Sequence, residues 1–312
     1  MAFEPAPWSE PVLRCPPREG WSLVVGRRRL EFGDRKELGR WLRRGSRAAL
    51  VAPPGAREFR PVPAWGELAS SDGRRFPADL RGRALVFFCA GVLLLVAAFE
   101  LRRLELLGMG GGAIGLGLVL AIDASFLGRA RLSLEDRLRF LHWCETDASV
   151  RRLRLIALGF LLLVGAGQLV AQQILGGRGP LWDAVGLVYE RVSLTESWRF
   201  LTGALLHYDI AHFTINGVLL VLLAGFAQAA APRMTMPTFA MACAIAAFAQ
   251  YSLGGRAFGN FGGISGGVYA LFGLAASRGD RLPAGVPFLL LGLAIVCIAS
   301  AEVISAHAAT TA

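Results

Sequence analysis

Charge is scarce in this 312-residue chain: Asp, Glu, Lys and Arg make up 18% of it, against 54% hydrophobic residues. Soluble domains carry about 25% charged residues. The deficit excludes a single soluble domain. Cysteine is sparse too, at five residues, with Cys15 and Cys144 in basic stretches and Cys89, Cys243 and Cys297 inside apolar runs. Neither a disulfide framework nor a zinc-ligand spacing is present. The stretch from Met1 to Pro17 is rich in proline and has no apolar core, so no cleavable signal peptide is expected there. The 38 glycines follow no collagen or linker period.

What the chain has instead is a series of long apolar runs separated by short arginine-bearing loops, and a mean hydropathy of +0.49. That pattern identifies a polytopic helical membrane protein, in which frequent glycine lets helix backbones approach closely. The net charge of +10 comes from arginines concentrated in residues 14–83 and 128–154, before and between apolar runs. This is the placement the positive-inside rule gives cytoplasmic segments, so a bilayer and not nucleic acid is the expected partner.

Residues 1–83 read as a small basic cytoplasmic segment. Trp21–Val25 and Leu30–Phe32 flank Gly26 as in a hairpin, Arg35–Arg44 has helical spacing, and Ala48–Ala52 is suited to a short strand. Residues 84–127 hold two apolar stretches, Ala84–Phe99 and Leu107–Phe126, expected to form a transmembrane hairpin that turns at Glu100–Glu105. Asp123 lies within the second stretch near its end, where snorkelling to the interface or a contact with Arg129 is the expectation. Residues 128–154 read as an amphipathic cytoplasmic linker. Five spans follow: Leu155–Ile174, Leu201–Ala227, Met236–Leu253, Gly262–Ser277 and Val286–Ile304. With the N-terminus inside, Leu175–Phe200 falls outside, and Arg233, Arg278, Asp280 and Arg281 fall inside.

The polar residues of the second of these five spans point to chemistry. His212 and Asn216 are four apart and share a helix face. His207, five residues earlier, is expected ~140° away and off that face. Its expected role is structural. Polar side chains in lipid are costly and turn into the bundle, where they serve either as interhelical hydrogen-bond partners or as a site. The fourth span opens Phe261-Gly262-Gly263-Ile264-Ser265-Gly266-Gly267-Val268-Tyr269. Its small residues suit close packing. A serine at a helix start also has an exposed hydroxyl beside unpaired backbone N–H groups, which can donate to an oxyanion.

Trp198-Arg199, the spacing His207, His212, Asn216, and Gly263-Ile264-Ser265-Gly266 with Tyr269 and Gly273 together resemble the rhomboid family of intramembrane serine proteases, over about residues 150–312. The resemblance implies Ser265 as nucleophile and a histidine on a sixth core helix as general base. It implies an oxyanion hole from His212, Asn216 and the Ser265 N–H. It further implies Tyr269 packed against the base, Trp198 and Arg199 structuring the first external loop, and Gly263 and His207 in supporting positions. No metal or cofactor is implied.

The family carries its base in an Ala-His-x-x-Gly context, whereas Ala306-His307-Ala308-Ala309-Thr310 has threonine in place of the glycine, close to Ala312. Either His307 is the base on a truncated last helix, or the base lies beyond Ala312. The expected fold is therefore an all-α polytopic membrane protein. Its rhomboid-like bundle, residues 155–312, has a truncated last core helix and is preceded by the hairpin and the cytoplasmic segment. The expected activity is an intramembrane endopeptidase acting on single-pass membrane proteins in the bacterial inner membrane. The alternative is a non-catalytic module of the same fold that binds transmembrane helices.

Overall fold

The computed structural model describes residues 6, 8–9, 14–15, 18–42, 49–65, 68, 75–101, 104–253 and 259–295. They fall into two units, one formed by residues 1–147 with 279–312 and the other by residues 148–278.

In the first unit, Trp21–Val25 (β1) and Arg28–Phe32 (β2) make the expected hairpin, with Gly26 in its turn at φ 55. Glycine takes that backbone region without the steric cost of a Cβ. β1 also pairs with Leu50–Ala52 (β3), and β3 with Arg60–Pro61 (β4), all antiparallel, in the order β2-β1-β3-β4. Strand side chains alternate between faces. Leu23, Val51, Trp21 and Phe32 accordingly pack with Leu38 of helix α1 (Arg35–Leu42), while Leu50, Ala52, Phe59 and Cys15 form a second cluster. The Asp34 carboxylate accepts from the Glu37 N–H at 2.7 Å and caps α1. This sheet corrects the all-helical expectation, and the protein is mostly helical.

The membrane hairpin consists of α2 (Arg75–Leu101) and α3 (Leu104–Arg129). A Cβ at Gly91 would lie 2.7 Å from the Gly110 carbonyl oxygen, and one at Gly110 would lie 2.9 Å from that of Gly91. The two backbones touch, as helices in lipid do where small residues face each other. Leu93 and Phe99 point outward, 69% and 85% exposed. Asp123 neither snorkels nor meets Arg129. It is buried and receives two hydrogen bonds, at 3.0 and 3.1 Å, from Arg137 of the next helix, α4 (Arg131–Thr146).

The second unit runs α5 (Ala148–Leu175), α6 (Arg178–Val185), β5 (Leu187–Val188), α7 (Arg199–Leu205), α8 (Ile210–Ala230), α9 (Thr235–Leu253), β6 (Asn260–Phe261) and α10 (Ser265–Ser277). Helix α8 packs on α5 and α10, and α9 packs on α7 and α10. Half of the apolar window of α8 is buried, against 17% for α5 and α9. α8 is thus the central helix of this unit, and Asn216 on it faces protein rather than lipid.

Five described helices are long and apolar enough to cross a membrane: Phe76–Leu101, Leu106–Arg129, Ala148–Leu175, His212–Ala230 and Thr235–Leu253. Two expected spans differ in detail. The run 201–227 is broken, because α7 stops at Leu205 and α8 starts at Ile210, with Leu206 and Asp209 extended between them. In the run 262–277 the helix begins only at Ser265 and has 13 residues. Of the run 286–304, the described helix is Val286–Ile295, here α11. Residues 296–304 and His307 lie outside the described residues.

Candidate active site

The site is built on the loop that joins α5 to α7. Arg199, 5% exposed, donates from Nη1 to the Gly186 carbonyl at 2.8 Å, pairs through Nε with Glu196, and stacks its guanidinium over the Trp198 ring at 4.7 Å. Only the planar fork of arginine serves three such partners at once. The Thr202 hydroxyl donates to the Val185 carbonyl at 2.6 Å. Gly203 lets α7 come so close that a Cβ there would lie 2.5 Å from that of Leu187.

Anchored in this way, residues 187–189 reach the chain just ahead of Ser265. Leu187 pairs with Phe261 and Val188 with Asn260, and the Tyr189 N–H donates to the Gly259 carbonyl at 2.9 Å. Tyr208 adds a side-chain link, its hydroxyl donating to Asn260 Oδ1 at 2.9 Å. The Tyr208 ring stacks on Trp182, centroids 5.0 Å apart, and on His212, centroids 5.8 Å apart. A column of three rings therefore fixes the His212 plane.

α8 is started by Asp209, whose carboxylate accepts from the His212 N–H at 2.7 Å. One turn further on, Asn216 is 4% exposed and its Nδ2 has no hydrogen-bond partner among the described residues. The two side chains meet the backbone at Gly263. A Cβ there would lie 2.5 Å from His212 Cε1, 2.9 Å from His212 Nε2 and 3.4 Å from Asn216 Nδ2. Gly263 is at φ 104, a conformation glycine alone takes readily. Ile264 then caps α10, and Ser265 is its first residue, half-buried, where helix N–H groups lack intrahelical acceptors. Gly267 packs on Phe239 and Cys243 of α9. Tyr269 is half-buried one turn below Ser265.

His207 differs from its sequence expectation. It is in the extended link before α8, so the helical step of ~100° does not apply to it. Its ring meets that of His212 edge to face, centroids 5.3 Å apart, and that of Phe213 at 5.0 Å. Gln168 of α5 clasps its backbone, donating to the His207 carbonyl at 2.8 Å and accepting from its N–H at 2.9 Å. The ring Nδ1 lies 3.1 Å from the Leu205 carbonyl, so it carries the proton, and Nε2 has no partner among the described residues. Burial, helped by the nearby His212, pushes this imidazole down from 6.5 to about 4. It is neutral at physiological pH.

Gln168, Trp182, Tyr208 and Asn260 were not singled out from the sequence. Gln168 carried a signal, since an amide inside the apolar run 155–174 needs a partner in lipid. Asp209 carried one as well, as a helix-capping residue three positions before His212.

Residues 194–310 match the rhomboid domain family. The chain therefore carries a rhomboid domain, in a multi-pass membrane setting. It is distantly homologous to rhomboid protease GlpG of two strains of Klebsiella pneumoniae, each 28% identical to it over 134 residues, which is 43% of this chain and 47% of the relative. The chain thus spans about half the length of the curated relatives it matches. No solved structure matches it.

Proposed function

We propose that this protein is an intramembrane serine endopeptidase. The observation that carries the reading is the convergence of His212 and Asn216 on Gly263, two residues ahead of a serine that opens a helix, with Asn216 Nδ2 buried and unpaired among the described residues. A buried donor without an acceptor costs stability, which suits a group whose partner forms only during reaction.

In the proposed reaction Ser265 Oγ attacks the carbonyl carbon of a substrate peptide bond while a neutral imidazole takes its proton. The carbonyl oxygen becomes an oxyanion that accepts hydrogen bonds from Asn216 Nδ2, His212 and the Ser265 N–H. Collapse breaks the C–N bond, and the protonated imidazole returns the proton to the leaving amine. Water, activated by the same imidazole, then hydrolyses the acyl-serine. By resemblance the imidazole is His307 or a histidine beyond Ala312. Tyr269 packs against it, and Trp198 and Arg199 hold the external loop.

The substrates are single-pass membrane proteins whose helix unwinds locally, since only an unwound strand presents its carbonyl to Ser265. The proposed domain plan is a cytoplasmic segment at 1–83, a hairpin at 84–127, a linker at 128–154 and the protease domain at 155–312. The proposed setting is the bacterial inner membrane with the N-terminus inside and Ser265 near the outer face, where water reaches it. The test is labelling of the purified protein by a serine-reactive phosphonate together with cleavage of a model transmembrane substrate, with Ser265→Ala as control. Absence of both in a chain extended past Ala312 would leave the non-catalytic, helix-binding module as the better reading.

A further inference from the structure

The chain that leaves the Ser265 helix is gripped by groups far from it in sequence. α10 ends with the Arg278 N–H bonded to the carbonyls of Ala275 and Ala276, and at Gly279 the chain enters the first unit. There the Trp8 indole donates to the Arg281 carbonyl at 2.7 Å, and its ring meets Phe140 of α4 edge-on with centroids 6.1 Å apart. Gly285, at φ 83, is seated where a Cβ would lie 2.9 Å from Phe126 of α3 and 3.3 Å from Arg137 Nη2 of α4. Gly292 is seated where a Cβ would lie 2.7 Å from Val119 Cγ2 and 3.6 Å from Val119 Cβ.

These two contacts share a spacing. Gly292 is seven residues after Gly285, and Val119 is seven before Phe126, so α11 lies antiparallel along α3 over two turns. At the start of that contact is the Arg137–Asp123 pair, 5% and 6% exposed. A two-pronged pair of this kind fixes the orientation of the guanidinium as well as its position. Apolar packing alone would not need it there. Its direct neighbour is Gly285, the residue before α11.

We propose that the corner between α3 and α4 is an intramolecular brace for the chain leaving Ser265, and that Arg137, oriented by Asp123, is its positioning residue. The brace fixes where α11 starts and the direction it takes along α3. Its effect on turnover rests on the protease reading; the packing itself does not.

The experiment uses the full chain with Val119→Cys and Gly292→Cys together. The 3.6 Å separation given above is within the range of disulfide-linked Cβ atoms, so mild oxidation should join 119 to 292 by a bond visible in peptide mapping. The linked protein should turn over as the parent does, because the brace is static. Arg137→Ala should lower kcat about tenfold or more with KM nearly unchanged. The same change in the linked protein should recover most of that loss, because the disulfide replaces the brace.

Failure of the 119–292 bond to form overturns the packing. Parental turnover in Arg137→Ala, or a loss that the disulfide leaves unrestored, overturns the positioning role. So does failure of Arg137→Ala to fold both with and without the bond, since Arg137 would then be a folding residue only. If the parent is not labelled at Ser265, the protease reading fails, and formation of the disulfide still decides whether α11 lies along α3.

Discussion

His207 and His212 sit edge to face with ring centroids 5.3 Å apart, although a continuous helix would turn them away from each other. The break at residues 206–209 brings them together, and Gln168 holds the break open from α5. Two imidazoles therefore occupy one buried corner. A charge on the outer one would repel a charge on the other.

That arrangement makes stability depend on pH. His207 titrates near 4 when folded and near 6.5 when unfolded, so between those values the unfolded chain binds more protons. Its stabilising neutral form is fully present above pH 6.5 and is lost progressively as pH falls to 4. The groups facing it are His212, Asp209, Gln168 and Phe213. The thermal midpoint in detergent should fall across that window. In His207→Gln the fall should be shallower, and an equal slope in both proteins would show that another group governs it.

Ser265→Ala should abolish phosphonate labelling and cleavage while leaving the thermal midpoint close to the parent's. A half-buried hydroxyl at a helix start contributes little packing, so a change within about 0.5 kcal/mol is expected. Retained cleavage would remove Ser265 from the mechanism.

Asn216→Ala separates an oxyanion donor from a packing residue. Asn216 Nδ2 has no partner among the described residues to lose, so stability should barely change. Turnover should fall by about 10²–10³ with little effect on KM, the usual loss when one such donor is removed. An effect confined to KM, measured on a transmembrane substrate, would favour hydrogen-bonded packing with the substrate helix instead.

Much of this was legible in the sequence, and the rest has physical reasons for having been hidden. The hairpin at Trp21–Phe32 was visible because alternation and Gly26 agree. The ends of α2 and α3 reach past their apolar runs because charged and polar residues at membrane boundaries are still helical. The partner of Asp123 was out of reach: Arg137 is on a separate helix, and no helical spacing relates the two. The break before α8 carries neither glycine nor proline, so hydropathy ran straight through it. Only Asp209 marked the new helix start. At Gly263 the small residue serves both a close approach to His212 and Asn216 and a backbone at φ 104, and only the first of these was legible as small-residue packing.

The last prediction concerns Arg199, which is remote from Ser265 in sequence but joined to it through the loop. Arg199 serves Gly186, Glu196 and Trp198 together, and the adjoining residues 187–188 pair with 260–261, four to five positions before Ser265. Arg199→Lys keeps the charge but has a single ammonium in place of the fork, so at least one buried acceptor is left unpaired. Losing one such partner costs about 1–3 kcal/mol. The expected outcomes are a lower thermal midpoint, faster proteolysis between residues 176 and 197, and slower phosphonate labelling of Ser265 as the paired strand loosens. Arg199→Lys with faster proteolysis but unchanged labelling would show that the β5–β6 pairing does not transmit loop order to the serine.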